Sequence, residues 1–197
     1  MSASVGLDTG FAREFSYSAN DFEQLRLLAR QHTGIELGQS KRELVYSRLV
    51  RRVRALGLDG FGAYADILQA GDSTEVERFA NAITTNHTAF FREPHHFTFL
   101  REWLAQRRGR STASIWSAGC SSGEEPYSIA MLAEMRPPAS PAYHIVASDL
   151  NSTILARAVA GTYSIDRLGT VDANLQRRFF LRGIGANLGA ARVKNTL

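Results

Sequence analysis

Residues 115–129, IWSAGCSSGEEPYSI, constrain this chain more than any other segment, because an apolar strand pattern passes through two glycines straight into a helical one. The strand is expected over residues 114–119 and the helix over residues 124–135. A second apolar stretch at residues 144–148 follows, then a helical run over residues 152–159 that Gly161 stops. Strands alternating with helices at this pitch predict a βαβα unit of a parallel sheet, the opening of a doubly wound α/β domain. The second strand reads as buried. Ligands of such sheets bind at the carboxyl ends of the strands, where a glycine turn lets them approach the backbone and the helix start offers unpaired N–H groups. Residues 118–123, beginning with Ala118 and Gly119, are therefore expected to line a small-molecule pocket. Asp149 would face the same crevice, where an acidic side chain can accept hydrogen bonds from two ribose hydroxyls. The spacing is G-x-x-x-G and not G-x-G-x-x-G, so a second reading stays open. In it, Gly119 and Gly123 only permit close strand–helix packing, and Asp149 belongs to an ordinary helix start beside Asn151.

Ahead of this unit the chain reads as helices. Ser18 and Asp21 form a capping-box pattern before Phe22, Leu25 and Leu28, with Gly34 as the stop. Ser40 with Glu43, and Asp72 with Glu75, repeat the signature before a longer helix reaching Gly57 and before Val76, Phe79 and Ile83. A short helix over residues 64–68 completes a four-helix domain at residues 18–85. Pro94 starts a further helix through Phe97, Leu100 and Leu104. Past Gly161, residues 179–182 and 191–194 read as an antiparallel hairpin, and the α/β domain spans residues 86–197 with a small β-subdomain from about residue 165.

Cys120 is the only cysteine among 197 residues, so neither a disulfide scaffold nor a cysteine-rich zinc site is expected. His95 and His96 are neighbours expected to point to different sides of a helix, which argues against joint metal ligation; no metal is expected. No apolar run approaches the ~20 residues that span a bilayer, and the amino terminus carries Asp8, Arg13 and Glu14, so a cytoplasmic protein, not membrane-embedded, is expected. The net charge of +4 favours acidic partners. On the helix SKRELVYSRLVRRVRALGL, Val45, Leu49, Val53 and Leu56 make one face and Lys41, Arg48, Arg51, Arg52 and Arg54 the opposite side, which reads either as a plain solvated face or as a surface for an acidic partner. No nucleic-acid module accompanies that helix, so nucleic acid is not the expected partner. The segment TTNHTAFFREPHHF places Thr85, Asn86, Thr88 and Arg92 beside Phe90 and Phe91 at the junction of the two domains; an arginine there could grip a carboxylate, or merely pack on the phenylalanines.

TTNHTAFFRE, IWSAGCSSGEEPYSIA, IVASDLN and KRELVYSRLVRRVRALGL together resemble the chemoreceptor glutamate O-methyltransferase family known as CheR, over about residues 22–193. The resemblance implies an all-helical domain followed by a Rossmann-like, class I methyltransferase domain. It further implies methylation of glutamate side chains on the cytoplasmic domains of chemoreceptors, with S-adenosyl-L-methionine as cofactor and S-adenosyl-L-homocysteine as product. By position, Asn86, Thr88, Arg92, Glu125 and Asp149 match cofactor contacts, with Asp149 at the ribose and Arg92 at the methionine carboxylate and also the candidate catalytic residue. Arg48, Arg51 and Arg54 match a surface for the acidic coiled-coil helices of methyl-accepting chemotaxis receptors. Arg182, Gly183, Gly189 and Arg192 match a dock for a receptor's carboxyl-terminal tail. Family members continue beyond the point where this sequence ends, so the resemblance implies a carboxyl-terminal truncation and an incomplete sheet with apolar surface open to water. The alternative expectation is a catalytically incomplete fragment acting as a receptor- or cofactor-binding module.

Overall fold

The computed structural model describes residues 13–107, 112–136 and 142–197. The chain divides into two units, one reaching to Thr84 and one from Thr85 to Leu197.

In the first unit, α1 (Ala19–Thr33) starts where Ser18 and Asp21 cap each other reciprocally, and ends at Gly34, whose φ of 72° suits glycine. A 3-10 turn (Gln39–Lys41) leads into α2 (Arg42–Ala55). Ser40, expected to cap α2, lies inside that turn instead, and Lys41 occupies the cap position without a side-chain bond. A serine whose backbone is already coiled cannot take the extended conformation that an N-cap needs. α3 (Phe61–Gln69) is longer than the expected residues 64–68, because Phe61 is itself fully buried and extends the apolar face by a turn. Asp72 accepts a hydrogen bond from Glu75 N at 3.0 Å and opens α4 (Ser73–Ile83). Phe22, Leu25, Leu49, Val53, Phe61, Leu68 and Phe79 interdigitate as one core.

One cation of α2 is not on a solvated side. Arg52 turns toward α4 and grips Glu75 with both arms of its guanidinium, Nε to Oε1 at 2.9 Å and Nη2 to Oε2 at 2.6 Å. Tyr64 Oη donates to Oε1 at 2.9 Å, and Glu75 is only 3% exposed. Burial alone would push this carboxyl up, but the bonds from Arg52 and Tyr64 and the charge of Arg52 outweigh it and hold Glu75 below the usual carboxylate range. An unfolded chain therefore binds a proton here more readily than the folded one. The stabilisation is complete above the unfolded value of about 4.3 and is lost as pH falls through the lower folded value. Denaturant titrations of the unsubstituted protein and Glu75→Gln should show the acid loss in the first and a flatter profile in the second.

In the second unit, α5 (Pro94–Gln106) starts on its proline. β1 (Ala113–Ala118) and β2 (Tyr143–Ser148) pair in parallel, with Ala113 opposite Tyr143 and Ala118 opposite Ser148. α6 (Glu124–Glu134) follows β1 and α7 (Ser152–Ala160) follows β2, closed by Gly161, so the expected βαβα unit behind an all-helical unit is present. Phe97, Ile129 and Leu132 of α5 and α6 cover one face of the strands against Ile115 and Ile145. The opposite face is open: Trp116 is 70% and Val146 48% exposed, so β2 is not the buried strand its composition suggests. Helices lie over the side carrying Ile115 and Ile145, and strand alternation sends Trp116 and Val146 the other way.

The rest of the unit is a small antiparallel sheet. β3 (Thr162–Ser164), a 3-10 turn (Ile165–Leu168), α8 (Ala173–Phe179), β4 (Phe180–Arg182) and β5 (Ala190–Val193) follow one another, with strand order β3-β5-β4. The β4–β5 hairpin is the expected one. Phe179 belongs to α8, however, and β3, too short to carry a strand period, was not expected. Phe90, Met131, Tyr163, Phe179, Phe180 and Val193 form the core beneath this sheet.

Candidate functional site

The turn after β1 is built from backbone that few side chains tolerate. Gly119 has φ 74°, Ser121 φ 50° and Gly123 φ 96°. The two glycines do different work. A Cβ on Gly123 would lie 2.9 Å from Tyr163 Oη and 3.0 Å from Ala158, so this position is kept bare by packing against α7 and β3. A Cβ on Gly119 would meet nothing within 4 Å, so this one leaves its backbone open to a ligand. The packing reading of the sequence pattern holds for Gly123, and Gly119 keeps the space that the ligand reading needs.

Asp149 ties this turn to the end of β2. Its Oδ2 accepts the Ser121 amide and its Oδ1 the Asn151 amide, each at 2.8 Å. Asn151, not Asp149, caps α7 by accepting from Ile154 N at 2.9 Å. The second carboxylate of the region, Glu125, is exposed and accepts from Ser117 Oγ at 2.7 Å. Cys120 is buried, and burial, reinforced by the Asp149 charge, raises its thiol above the ordinary value, so it is no nucleophile.

The segment after Thr85 runs alongside. Phe91 and Glu93 have φ of 53° and 57°, and the exposed Arg92 between them donates from Nη1 to His87 O at 3.0 Å. Asn86 lines an open cavity of about 390 Å3 with Ser122, Glu124, Arg157, Tyr163 and Arg167. Of the residues expected at the site, the fold joins Asp149 to the glycine turn, Glu125 to β1, and Asn86 to the start of α6. Both hydrogen bonds of Arg92 among the described residues are local, its guanidinium to His87 O and its amide to Ala89 O. The carbonyl of Thr88 accepts from Arg167 Nη2 at 3.3 Å.

Sequence reasoning missed Glu124 and Arg167. Glu124 is fully buried, accepts from Ser122 Oγ at 2.6 Å and pairs with the guanidinium of Arg167. Its only signal was a second acid beside Glu125 in a helix's first turn. Tyr163 Oη donates to Ser122 O at 2.7 Å, and burial, then the Glu124 charge, raise its phenol, so it remains a donor. The rings of His95 and His96, expected on different sides of the helix, instead meet with centroids 4.1 Å apart. No group of three or more His, Cys, Asp or Glu is placed to hold a metal ion among the described residues.

The residues expected to contact receptors have specific surroundings. Arg48 Nη1 donates to Ile83 O at 2.5 Å and Thr84 O at 3.0 Å, and Arg54 pairs with Glu14. Arg51 is exposed. Arg182 and Arg192 are exposed on β4 and β5. Gly183 N donates to Ala190 O at 2.8 Å, and a Cβ on Gly183 would lie 2.0 Å from Asn187 O. Gly189, with φ 90°, turns the chain into β5. No helix among the described residues is long and apolar enough to cross a membrane.

An open glycine turn, the buried Ser121 Oγ without a partner, an α6 start with no capping side chain, and a carboxylate at the end of β2 fit a nucleoside with a polar tail. Comparison with known proteins points the same way. Residues 20–84 match the family model described as CheR methyltransferase, all-alpha domain. Residues 86–196 match the model described as CheR methyltransferase, SAM binding domain, SAM being S-adenosyl-L-methionine. The chain is 47% identical over 188 residues to chemotaxis protein methyltransferase 2 of Pseudomonas aeruginosa, covering 94% of this chain and 66% of that protein. Chemotaxis protein methyltransferase of Salmonella typhimurium is 45% identical over 178 residues, covering 89% and 61%, and that of Escherichia coli 42% identical over 178 residues, covering 89% and 62%. The chain thus spans 61% to 66% of the length of these relatives. With both units matched in order and the glycine turn, its aspartate and the helical unit all in place, the chain belongs to the CheR methyltransferase family.

Proposed function

We propose that this chain serves S-adenosyl-L-methionine-dependent methylation of glutamate side chains on the cytoplasmic domains of chemoreceptors. The observation that carries the reading is the Asp149 carboxylate fastened across the mouth of the glycine turn, in a chain 42% to 47% identical to chemotaxis methyltransferases. When bound, S-adenosyl-L-methionine supplies a methyl group on a positively charged sulfur. Asp149 holds the ribose hydroxyls, Gly119 and Ala118 let the nucleoside lie against the backbone, and Asn86, Thr88 and Glu125 flank it. Arg92 exchanges its His87 carbonyl for the methionine carboxylate, a charge-assisted and forked contact. A glutamate carboxylate is already ionised at pH 7, so no side chain has to remove a proton. What the protein contributes is in-line placement of carboxylate oxygen, methyl carbon and sulfur.

Receptor recognition is assigned to α2 and the small sheet. Arg51 meets the acidic receptor helices first, while Arg54 exchanges Glu14 and Arg48 its carbonyls for receptor carboxylates. Arg182 and Arg192, with Gly183 and Gly189 shaping the hairpin, offer a basic dock for a receptor's carboxyl-terminal tail. Calorimetry with S-adenosyl-L-homocysteine, followed by transfer of tritiated methyl groups to receptor membranes, tests the proposal. Micromolar binding and base-labile label on receptors are expected. Absence of binding refutes the cofactor reading, and binding without label leaves a cofactor-binding module.

A further inference from the structure

Glu124 sits at 0% exposure in the first turn of α6, where an ionised carboxylate must be compensated. Its compensation comes from far along the chain: Arg167, in the 3-10 turn after β3, pairs with Oε1 while Ser122 Oγ donates to Oε2. The same guanidinium nitrogen donates to Thr88 O at 3.3 Å. Two neighbours of Arg167 repeat the pattern. Tyr163 Oη donates to Ser122 O at 2.7 Å, and Thr170 Oγ1 to Phe90 O at 3.0 Å. From below, Ser128 Oγ accepts the Phe91 amide at 3.0 Å and donates to Glu124 O at 2.6 Å. Neither the Asn86–Arg92 loop nor the Gly119–Gly123 turn belongs to a helix or strand, so side chains must satisfy carbonyls that a regular element would have paired.

We infer that Arg167 is a positioning residue: through Glu124 and Thr88 it latches the two cofactor-binding segments to each other, with Thr170 and Tyr163 as companion bonds. The inference rests on the proposed cofactor reading for what the segments hold, but the latch exists without ligand. It makes residues 163–170, the stretch from β3 through the 3-10 turn that follows it, a structural determinant of cofactor affinity. Arg167 does not need to touch the cofactor to act. It also forms a wall of the cavity that contains Asn86, so its loss changes the shape of that cavity as well as the order of its rim.

Amide hydrogen exchange of the unliganded 197-residue chain, read by mass spectrometry, tests the latch directly. Arg167→Ala should speed exchange in residues 86–92 and 119–124 while residues 129–133 of α6 keep their protection. S-adenosyl-L-homocysteine should then bind about tenfold more weakly, the scale of one lost charge-assisted hydrogen bond. Arg167→Lys keeps a positive charge for Glu124 but not the planar fork. It should restore protection at 119–124 and leave 86–92 fast. Thr170→Val buries no uncompensated charge, so it reads the latch even if Arg167→Ala unfolds; it should speed exchange at 86–92 alone. Arg177→Ala, exposed on α8 and outside the cavity lining, should change neither exchange in these segments nor affinity. Unaltered exchange at 86–92 in both Arg167→Ala and Thr170→Val overturns the latch, and weaker binding without faster exchange overturns the positioning role by making Arg167 a direct contact. If the unsubstituted chain binds no S-adenosyl-L-homocysteine, the cofactor reading and the affinity role fall together, and the exchange results stand by themselves.

Discussion

Replacing Arg52 by alanine is expected to destabilise the helical unit by about 3 kcal/mol, the lower part of the range for a buried ion pair broken from one side. The lower end applies because Tyr64 Oη still donates to Glu75 and Arg78, 3.4 Å away, can close in. For a unit of this size the loss corresponds to a fall in midpoint of roughly 12 °C or more. Arg54→Ala on the same helix is the matched control. Its pair with Glu14 has side chains 55% and 47% exposed, where water screens the two charges, so the midpoint should hardly move. Thermal melts of the two variants side by side decide the matter. Equal midpoints would mean that Glu75 finds compensation without Arg52, and the account of that core would be wrong.

Asp149→Ala should weaken S-adenosyl-L-homocysteine binding by about two orders of magnitude. Two hydrogen bonds from ribose hydroxyls to a carboxylate contribute about 1.5 kcal/mol each, and their joint loss is roughly 150-fold in affinity. The substitution also frees the Ser121 and Asn151 amides, so the turn loses its anchor as well as its acceptor. Asp149→Asn separates the two effects. Its amide oxygen still accepts one of those N–H groups, so the turn should stay ordered while affinity falls by about tenfold for the weaker neutral acceptor. Circular dichroism should be unchanged in both variants, because α7 is capped by Asn151 independently of Asp149. Tight binding by Asp149→Ala would remove the nucleoside from this crevice.

Much of this architecture was readable from neighbouring residues alone. The Ser18–Asp21 box, the Asp72 cap, the Pro94 start, the glycine stops and the strand–turn–helix order all depend on contacts within a few positions, and the sequence pattern states them directly. Family membership was legible for the same reason, since its motifs are short contiguous runs. Two short elements were not legible, β3 with three residues and α8 with seven; β4, as short as β3, was legible through the glycines that set it off from β5.

What the linear pattern could not say is which distant segment meets a given side chain. Arg52 looked like one more cation on a basic helix until α4 brought Glu75 beneath it. Gly119 and Gly123 looked equivalent until α7 and Tyr163 closed on one and left the other bare. Glu124 was not singled out by the sequence at all; Arg167, from beyond β3, closes over it in the fold. A period reports which face of an element avoids water, because that is a property of the element. The partner of a buried charge is a property of two elements at once, and only the folded chain, where desolvation makes an unpaired charge costly, selects it.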